Sequence, residues 1–148
     1  MSGYVYAAPG VQDYLKNAIL TALGGDEVPC DVGFPAGGLA KRHIWIRGDL
    51  NLRFPRRTSG GGQRDEDGSL LVRVWVTKTA DTLPDVRDDA LELAQVVEAA
   101  IAGDPTFGGR VHSAHVEKAV GNEGVDKTTR QYGIELTVKY QTSVARSG

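Results

Sequence analysis

The chain has 148 residues, 41% of them hydrophobic, and a formal net charge of −2. That length is typical of one domain with a single core, and no apolar stretch approaches the roughly 20 residues that a membrane-spanning helix needs. No charged region followed by an apolar run opens the chain, so we expect a soluble, intracellular protein with one domain over residues 1–148.

The first predicted element is an amphipathic helix. Apolar residues recur at helical spacing from Val11 to Leu23, and Gly24 and Gly25 supply a C-terminal stop. Two short segments with strand-like patterns follow. They run from Val28 to Phe34 and from Ile44 to Phe54, and we expect both to belong to a sheet.

A long loop is predicted after the second of these segments. Residues Pro55 to Ser69 include three consecutive glycines and offer almost nothing to bury, so we expect a long mobile loop that ends in a turn at Asp67 and Gly68. Its arginines are expected to contact phosphates or an acidic partner, and its glycines would let it become ordered only on assembly.

The second half of the chain predicts the main part of the sheet. Leu70 to Lys78 alternates as a central strand, and Pro84 to Ala102 has the apolar stripe of a helix that lies across the sheet. Two strands, Val111 to Val120 and Arg130 to Val144, are expected to be joined through Gly121 to Lys127. The sequence therefore predicts an α+β fold with a mostly antiparallel sheet, two main helices and a long mobile loop.

Charge is distributed unevenly along the chain. The segment from Lys41 to Arg64 contains seven basic residues and one acid, whereas the segment from Asp81 to Asp104 contains seven acids and one basic residue. Such a distribution suits head-to-tail contacts, in which the basic surface of one subunit meets the acidic surface of the next. It equally suits two solvated faces.

We find no pattern typical of a catalytic, metal or cofactor site. His112 and His115 are three residues apart, which on a strand would place them on opposite faces, so they would not chelate one metal. Gly60 to Gly62 lacks the Lys-Ser/Thr that completes a phosphate-binding loop, and Asp65 to Gly68 lacks the later ligands of a calcium loop. Cys30 is expected only to pack in the core, and no nucleophile stands with a histidine in a recognisable catalytic pattern. We therefore expect a protein that is not an enzyme.

The order of elements resembles that of the tail-terminator, or tail-completion, proteins of long-tailed bacteriophages. The resemblance covers nearly the whole chain: a helix, short strands, a long loop, a strand, an acidic helix and two closing strands. Its most specific part is the junction Asp104-Pro105-Thr106-Phe107-Gly108-Gly109-Arg110-Val111, which leads into two long strands, the second ending in Tyr140-Gln141-Thr142.

The resemblance implies a structural virion protein that is made in the host cytoplasm. It would form a ring, typically of about six copies, at the head-proximal end of the tail tube, where it ends tube polymerisation and docks to the head-tail connector protein. Its partners would be its own copies, the tail tube protein and the connector, with DNA passing through the lumen without sequence-specific binding, and with no membrane and no cofactor. Two sets of charged residues are implied to lie at subunit interfaces or in the lumen, the basic residues either lining the lumen or reaching acidic residues of a neighbour: Arg53, Arg56, Arg57, Arg64, Asp85, Asp88, Asp89.

Two other functions stay open at the level of sequence. A neighbouring head-tail connector component, such as a stopper or adaptor, would bind the portal side rather than the tube. A small nucleic-acid-binding module would use the basic segment from Lys41 to Arg64, although its aromatic and histidine side chains, His43, Trp45 and Phe54, are explained by strand packing. Such a module would bind DNA with a strong dependence on salt.

Overall fold

The computed structural model describes residues 3–4, 6–25, 27–55, 63–79, 83–126 and 129–147. In these residues the chain forms two helices and seven strands. The elements are, in chain order, β1 (Gly3–Tyr4), α1 (Ala8–Leu23), β2 (Cys30–Val32), β3 (Arg42–Ile46), β4 (Asn51–Arg53), β5 (Gln63–Lys78), α2 (Leu83–Gly103), β6 (Ser113–Asp126) and β7 (Thr129–Ser147). The predicted α+β fold with two main helices is confirmed.

The strands form one mostly antiparallel sheet in the order β1-β7-β5-β3-β2, with β4 beside β5 and β6 beside β7. Its centre is the pair of β5 and β7, which stay in continuous register from Gln63 opposite Ala145 to Lys78 opposite Arg130. Only β2 and β3, among the described pairs, run in parallel.

Both helices pack on the same face of the sheet, which we call the inner face; the opposite face is the outer face. Buried side chains of α1, such as Val11 and Leu15, and of α2, such as Leu93 and Val97, form one core with the alternate residues of β5 from Leu70 to Val76. Each fully buried aliphatic side chain stabilises the fold by about 1.5–3 kcal/mol. Neither helix in the described part of the chain is both long and apolar enough to cross a membrane.

The predicted loop from Pro55 to Ser69 is wrong over its second half. β5 begins at Gln63, and the predicted turn at Asp67 and Gly68 lies inside this strand, opposite Gln141 and Tyr140 of β7. The alternation of buried residues in β5 continues towards the N-terminus through Gly68 and Glu66. Because neither a glycine nor a carboxylate is apolar, this part of the alternation cannot be recognised in the sequence. Residues 56–62 lie outside the described part of the chain.

The predicted strand from Ile44 to Phe54 is divided in two. β3 and β4 both pair with β5, and the four residues 47–50 stand opposite only two residues of β5. The two extra residues form a bulge-like break at Gly48 and Asp49, which are typical turn residues.

The predicted connection from Gly121 to Lys127 is also wrong in extent. β6 continues to Asp126, which pairs with Thr129 of β7, and residues 127–128 lie outside the described residues. The two glycines of this segment leave room for side chains of β7, since a Cβ atom at Gly121 would collide with the Tyr132 hydroxyl and one at Gly124 would press on Gln131.

Candidate functional site

The two predicted arginines that the structure describes lie on different faces of the sheet. Arg53 ends β4 opposite Asp67, is exposed and points to the outer face. Arg64, near the start of β5, points to the inner face, where it lies beyond the helices. Arg56 and Arg57 lie outside the described residues. The described arginines therefore do not form one continuous basic patch.

Arg64 is held by two aromatic rings. Its guanidinium carbon lies 3.6 Å from the ring centroid of Phe54 and 5.5 Å from that of Tyr6, and the two rings are 6.1 Å apart. Cation–π attraction accounts for this arrangement. Tyr6 is 53% exposed and Phe54 is 38% exposed, so the two rings form an aromatic surface. Arg64 is half-buried against them, and its Nε and Nη2 atoms are buried. We call Tyr6, Phe54 and Arg64 the aromatic–arginine cluster.

A buried carboxylate fixes the backbone beside this cluster. Glu66 is fully buried; its Oε1 accepts a hydrogen bond from the Ala7 backbone N–H at 3.1 Å, and its Oε2 accepts one from the Tyr140 hydroxyl at 2.5 Å. Burial, and then the bond to Glu66, raise the pKa of Tyr140, so the phenol stays a donor. Because Ala7 follows Tyr6, Glu66 also positions one ring of the cluster.

The predicted acidic residues lie at the first turns of α2, where they line an open groove of about 800 Å³. Asp89 pairs inside the chain with Arg42 at 2.9 Å and with Lys78 at 3.4 Å. Asp88 is exposed and pairs with Arg87 at 3.0 Å. We call this surface the acidic groove, and its lining residues are Arg42, Lys78, Thr79, Asp85, Asp88, Asp89 and Glu92.

The aromatic–arginine cluster and the acidic groove lie at opposite ends of β5. Arg64 is near the first residue of the strand and Lys78 is its last residue, and both side chains are on the inner face. At about 3.3 Å per residue, these positions are roughly 45 Å apart along the strand. The two surfaces therefore do not meet within one copy of the chain.

The junction between α2 and β6 is organised by Asp104. Its carboxylate accepts hydrogen bonds from the Tyr14 hydroxyl of α1, from the Gly108 backbone N–H at 2.8 Å and from the Thr106 hydroxyl at 2.9 Å. The Tyr14 hydrogen bond, followed by those of Gly108 and Thr106, lowers the pKa of Asp104, and the same bond to Asp104 raises the pKa of Tyr14. Asp104 thus ties α1 to the junction.

Aromatic packing completes the junction. Phe107 is buried, has a positive φ of 50°, and stacks on Tyr14 with ring centroids 5.3 Å apart. Arg110 also contacts this unit, with its guanidinium carbon 5.1 Å from the Tyr14 centroid. Gly108 follows with φ 66°, and an added side chain there would press on Tyr14 and Arg110. Arg110 is exposed beside the first turns of α1, and sequence reasoning did not identify it as a surface residue of interest.

Both histidines considered above lie on the outer face, so the expected placement on opposite faces is wrong. His112 precedes β6 and approaches Ser143 of β7, while His115 pairs with Lys139. His112 departs from strand alternation because β6 begins only at the next residue. Among the described residues, no group of three or more His, Cys, Asp or Glu side chains is placed to hold a metal.

The structure brings together a serine, a histidine and an aspartate that are distant in sequence. The His112 Nε2 atom is 3.3 Å from Ser143 Oγ, and Ser143 donates its hydroxyl hydrogen to Asp65 Oδ1 at 3.0 Å. In a hydrolytic triad the histidine stands between serine and aspartate and removes the serine proton. Here the serine stands in the middle and its proton is directed to the carboxylate, so this order does not activate it as a nucleophile.

Cys30 is a buried core residue. Burial, followed by the charge of Asp31, raises the pKa of the thiol to about 12. A thiol with so high a pKa is almost entirely protonated near neutral pH and is a poor nucleophile. This agrees with the packing role predicted from the sequence.

Comparison with solved structures found a distant likeness to a virion chain, whereas the comparisons with protein families and curated proteins found none. A chain of a solved structure described as "Virion of native gene transfer agent (GTA) particle" is similar at 14% identity and a TM-score of 0.48, over 93% of this chain and 99% of that chain. A likeness of this strength assigns no function, so we base the functional proposal on the chain's own residues.

Proposed function

We propose that the chain is a structural subunit of a phage-like virion, which forms a ring of about six copies at the head-proximal end of a tail tube. The ring would end tube polymerisation and join the tail to the head connector, with DNA passing through its lumen without sequence-specific contacts. In this proposal the partners are further copies of the chain, the tail tube protein and the connector protein. The subunit needs no cofactor and catalyses no reaction.

The observation that carries this proposal is the separation of the aromatic–arginine cluster from the acidic groove. Surfaces of opposite charge attract each other, yet about 45 Å of strand keeps these two apart within one copy. Because they are different surfaces, a contact between them is heterologous, and heterologous contacts build either closed rings or open filaments. A closed ring is the assembly that the resemblance to tail terminators implies.

The junction that carries the sequence resemblance supports the proposal in a second way. Asp104, Tyr14 and Phe107 connect α1, α2 and the start of β6 through hydrogen bonds and ring stacking. The segment is thus a rigid connection between the helical layer and the long β6–β7 pair. Rigid subunits assemble with a smaller loss of conformational entropy than mobile ones.

Polymerisation of the cognate tube protein provides the test. Added before polymerisation starts, the chain should shorten the tubes in proportion to its concentration, and electron microscopy should show extra density at one end of each tube. Tubes of unchanged length with bare ends would overturn the proposal. Binding to portal-bearing heads in place of tubes would reassign the chain to the stopper or adaptor class.

For the nucleic-acid-binding alternative, two of the three rings in the basic segment are unavailable. The third, Phe54, follows β4 and is 38% exposed in the aromatic–arginine cluster, so the expectation that strand packing explains it is wrong. His43 is 3% exposed and Trp45 is 7% exposed, so neither ring is available for stacking on a base. The His43 ring is engaged on both nitrogens, accepting from the Ala40 N–H at 3.0 Å and lying 2.8 Å from Asp31 Oδ2. A DNA titration at low salt decides the matter, since strong, salt-dependent binding would favour that alternative.

A further inference from the structure

We infer that the aromatic–arginine cluster of one copy docks into the acidic groove of a second copy, with Asp88 and Glu92 receiving the positive charge. This inference rests on the proposed function and names the surfaces through which its ring would close. It also changes the role expected for Asp89, which becomes an internal support of the groove.

The ion pairs within the groove distinguish Asp89 from its neighbours. Asp89 already contacts Arg42 and Lys78, and its side chain is only 18% exposed. Asp88 is 64% exposed, and its partner Arg87 is the adjacent residue on the helix surface. Glu92 is exposed and makes no ion pair among the described residues. Glu92 and Asp88 are thus the carboxylates that a second molecule can contact. Asp89, through its two ion pairs, connects α2 to β3 and β5.

The aromatic–arginine cluster has the composition of a protein-binding site. Aromatic residues and arginine are enriched at the energetically dominant positions of interfaces, because they bury a large area with little loss of side-chain freedom. Tyr6 and Phe54 present that area. Arg64 contributes positive charge from a half-buried guanidinium, and the exposed Arg110, beside the β7 residue opposite Glu66, adds a second positive charge at the same end. Glu66 is fully buried and already accepts two hydrogen bonds, so it does not present a competing carboxylate.

The charge of the acidic groove is complementary to that of the aromatic–arginine cluster of a second copy. Four acidic side chains against two basic ones leave the groove negative, and the basic residues point to Asp89 on its floor. A second copy of the chain carries the matching positive surface at its far end, so one contact leaves a free surface of each kind for the next copy. Repetition of this single contact builds the ring when the rotation between successive copies closes on itself.

Two charge-reversed variants test the contact reciprocally. One variant carries Asp88→Lys and Glu92→Lys, and the other carries Arg64→Glu and Arg110→Glu. Each alone should need a protein concentration at least about tenfold higher than wild type for half-maximal assembly. An equimolar mixture should assemble again, because each contact in an alternating ring then pairs a positive with a negative surface. Failure of the mixture to assemble, with both variants folded, would overturn the inference.

Arg53→Glu is the matched control, since it reverses a charge at the same end of the molecule but on the outer face. It should leave assembly unchanged; an equally large defect would show that the outer face makes the contact.

If the reversals at Arg64 and Arg110 unfold the protein, Arg64→Gln replaces them, with Arg53→Gln as its control and the same expected difference. Wild-type protein that assembles neither alone nor on tubes contradicts the proposed function itself, whereas normal assembly of the Asp88 and Glu92 variant contradicts only this contact.

Discussion

Tyr140 donates a 2.5 Å hydrogen bond to Glu66 across the central strand pair, although the two residues are 74 positions apart in the chain. The Ala7 backbone N–H occupies the other oxygen of the same carboxylate. This arrangement joins the start of α1, β5 and β7 at the end of the sheet that carries the aromatic–arginine cluster. Its loss is expected to affect both the stability of the chain and the position of Tyr6.

Glu66→Ala is expected to reduce the free energy of unfolding by about 2–4 kcal/mol, because a buried donor, Tyr140, and a part-buried one, the Ala7 N–H, lose their acceptor. Tyr140→Phe, which removes one donor, should cost about 1–2 kcal/mol. Urea denaturation followed by circular dichroism measures both. Tyr132→Phe is the control on the same strand and face, since the Tyr132 hydroxyl makes no hydrogen bond among the described residues; an equal loss there would contradict the assigned role of Glu66.

Gly68→Ala is expected to destabilise the chain by about 1–3 kcal/mol through overpacking. A Cβ atom at position 68 would collide with the Tyr140 ring, which is itself held by Glu66. Gly37→Ala is the matched control, because a Cβ atom there meets open space. Thermal unfolding of the two variants should give a clear decrease in Tm for the first and almost none for the second. Similar Tm values for both would show that the Tyr140 ring moves aside easily.

Asp104→Asn is expected to weaken the acid dependence of stability. The pKa of Asp104 in the folded chain lies below its ordinary value of 3.8, chiefly because of the Tyr14 hydroxyl, so the folded state binds the proton less readily than the unfolded state. Its contribution is therefore complete above about pH 4 and is lost as the pH falls through the lower, folded-state pKa. Urea unfolding from pH 6 down to pH 2 should show a shallower decline for Asp104→Asn and for Tyr14→Phe. A decline as steep as that of wild type would contradict this linkage.

The Cys30 thiol is expected to react very slowly in the folded protein. With its pKa raised from 9.0 to about 12, the thiolate fraction at pH 8 falls about a thousandfold, and burial also hinders access. A disulfide reagent such as DTNB should label the native chain only slowly and the urea-unfolded chain within seconds to minutes. Rapid labelling of the native protein, with no change in its circular dichroism, would contradict the burial of Cys30.

The sequence predicts those parts of the fold in which apolar residues repeat with a regular period. The alternation from Leu70 to Val76 and the helical spacing from Val11 to Leu23 mark buried faces that local sequence alone identifies. Glu66 could not be recognised as a buried residue, because its burial depends on the Ala7 and Tyr140 donors, 59 and 74 positions away. The start of β5 is mistaken for a loop for the same reason.

For the candidate site, the sequence predicts only the sign of the charge on its two surfaces. The opposed basic and acidic segments are visible in the sequence, but the partners of individual residues are not. The resemblance to tail terminators implies that Asp89 receives an arginine from a neighbouring copy, and in the structure Asp89 pairs with Arg42 and Lys78 of its own chain. Arg53 and Arg64 are grouped by sequence proximity and separated by strand alternation onto opposite faces.

The mass of the purified protein in solution, measured over a range of protein and salt concentrations and repeated with polymerising tube protein, tests ring formation most directly. We expect a single large species of about six subunits whose formation weakens as salt screens the charged contact, and ring-shaped particles in negative stain. A closed ring that forms only in the presence of tubes would agree with the same account. A strict monomer under every condition, including with tubes, would contradict it.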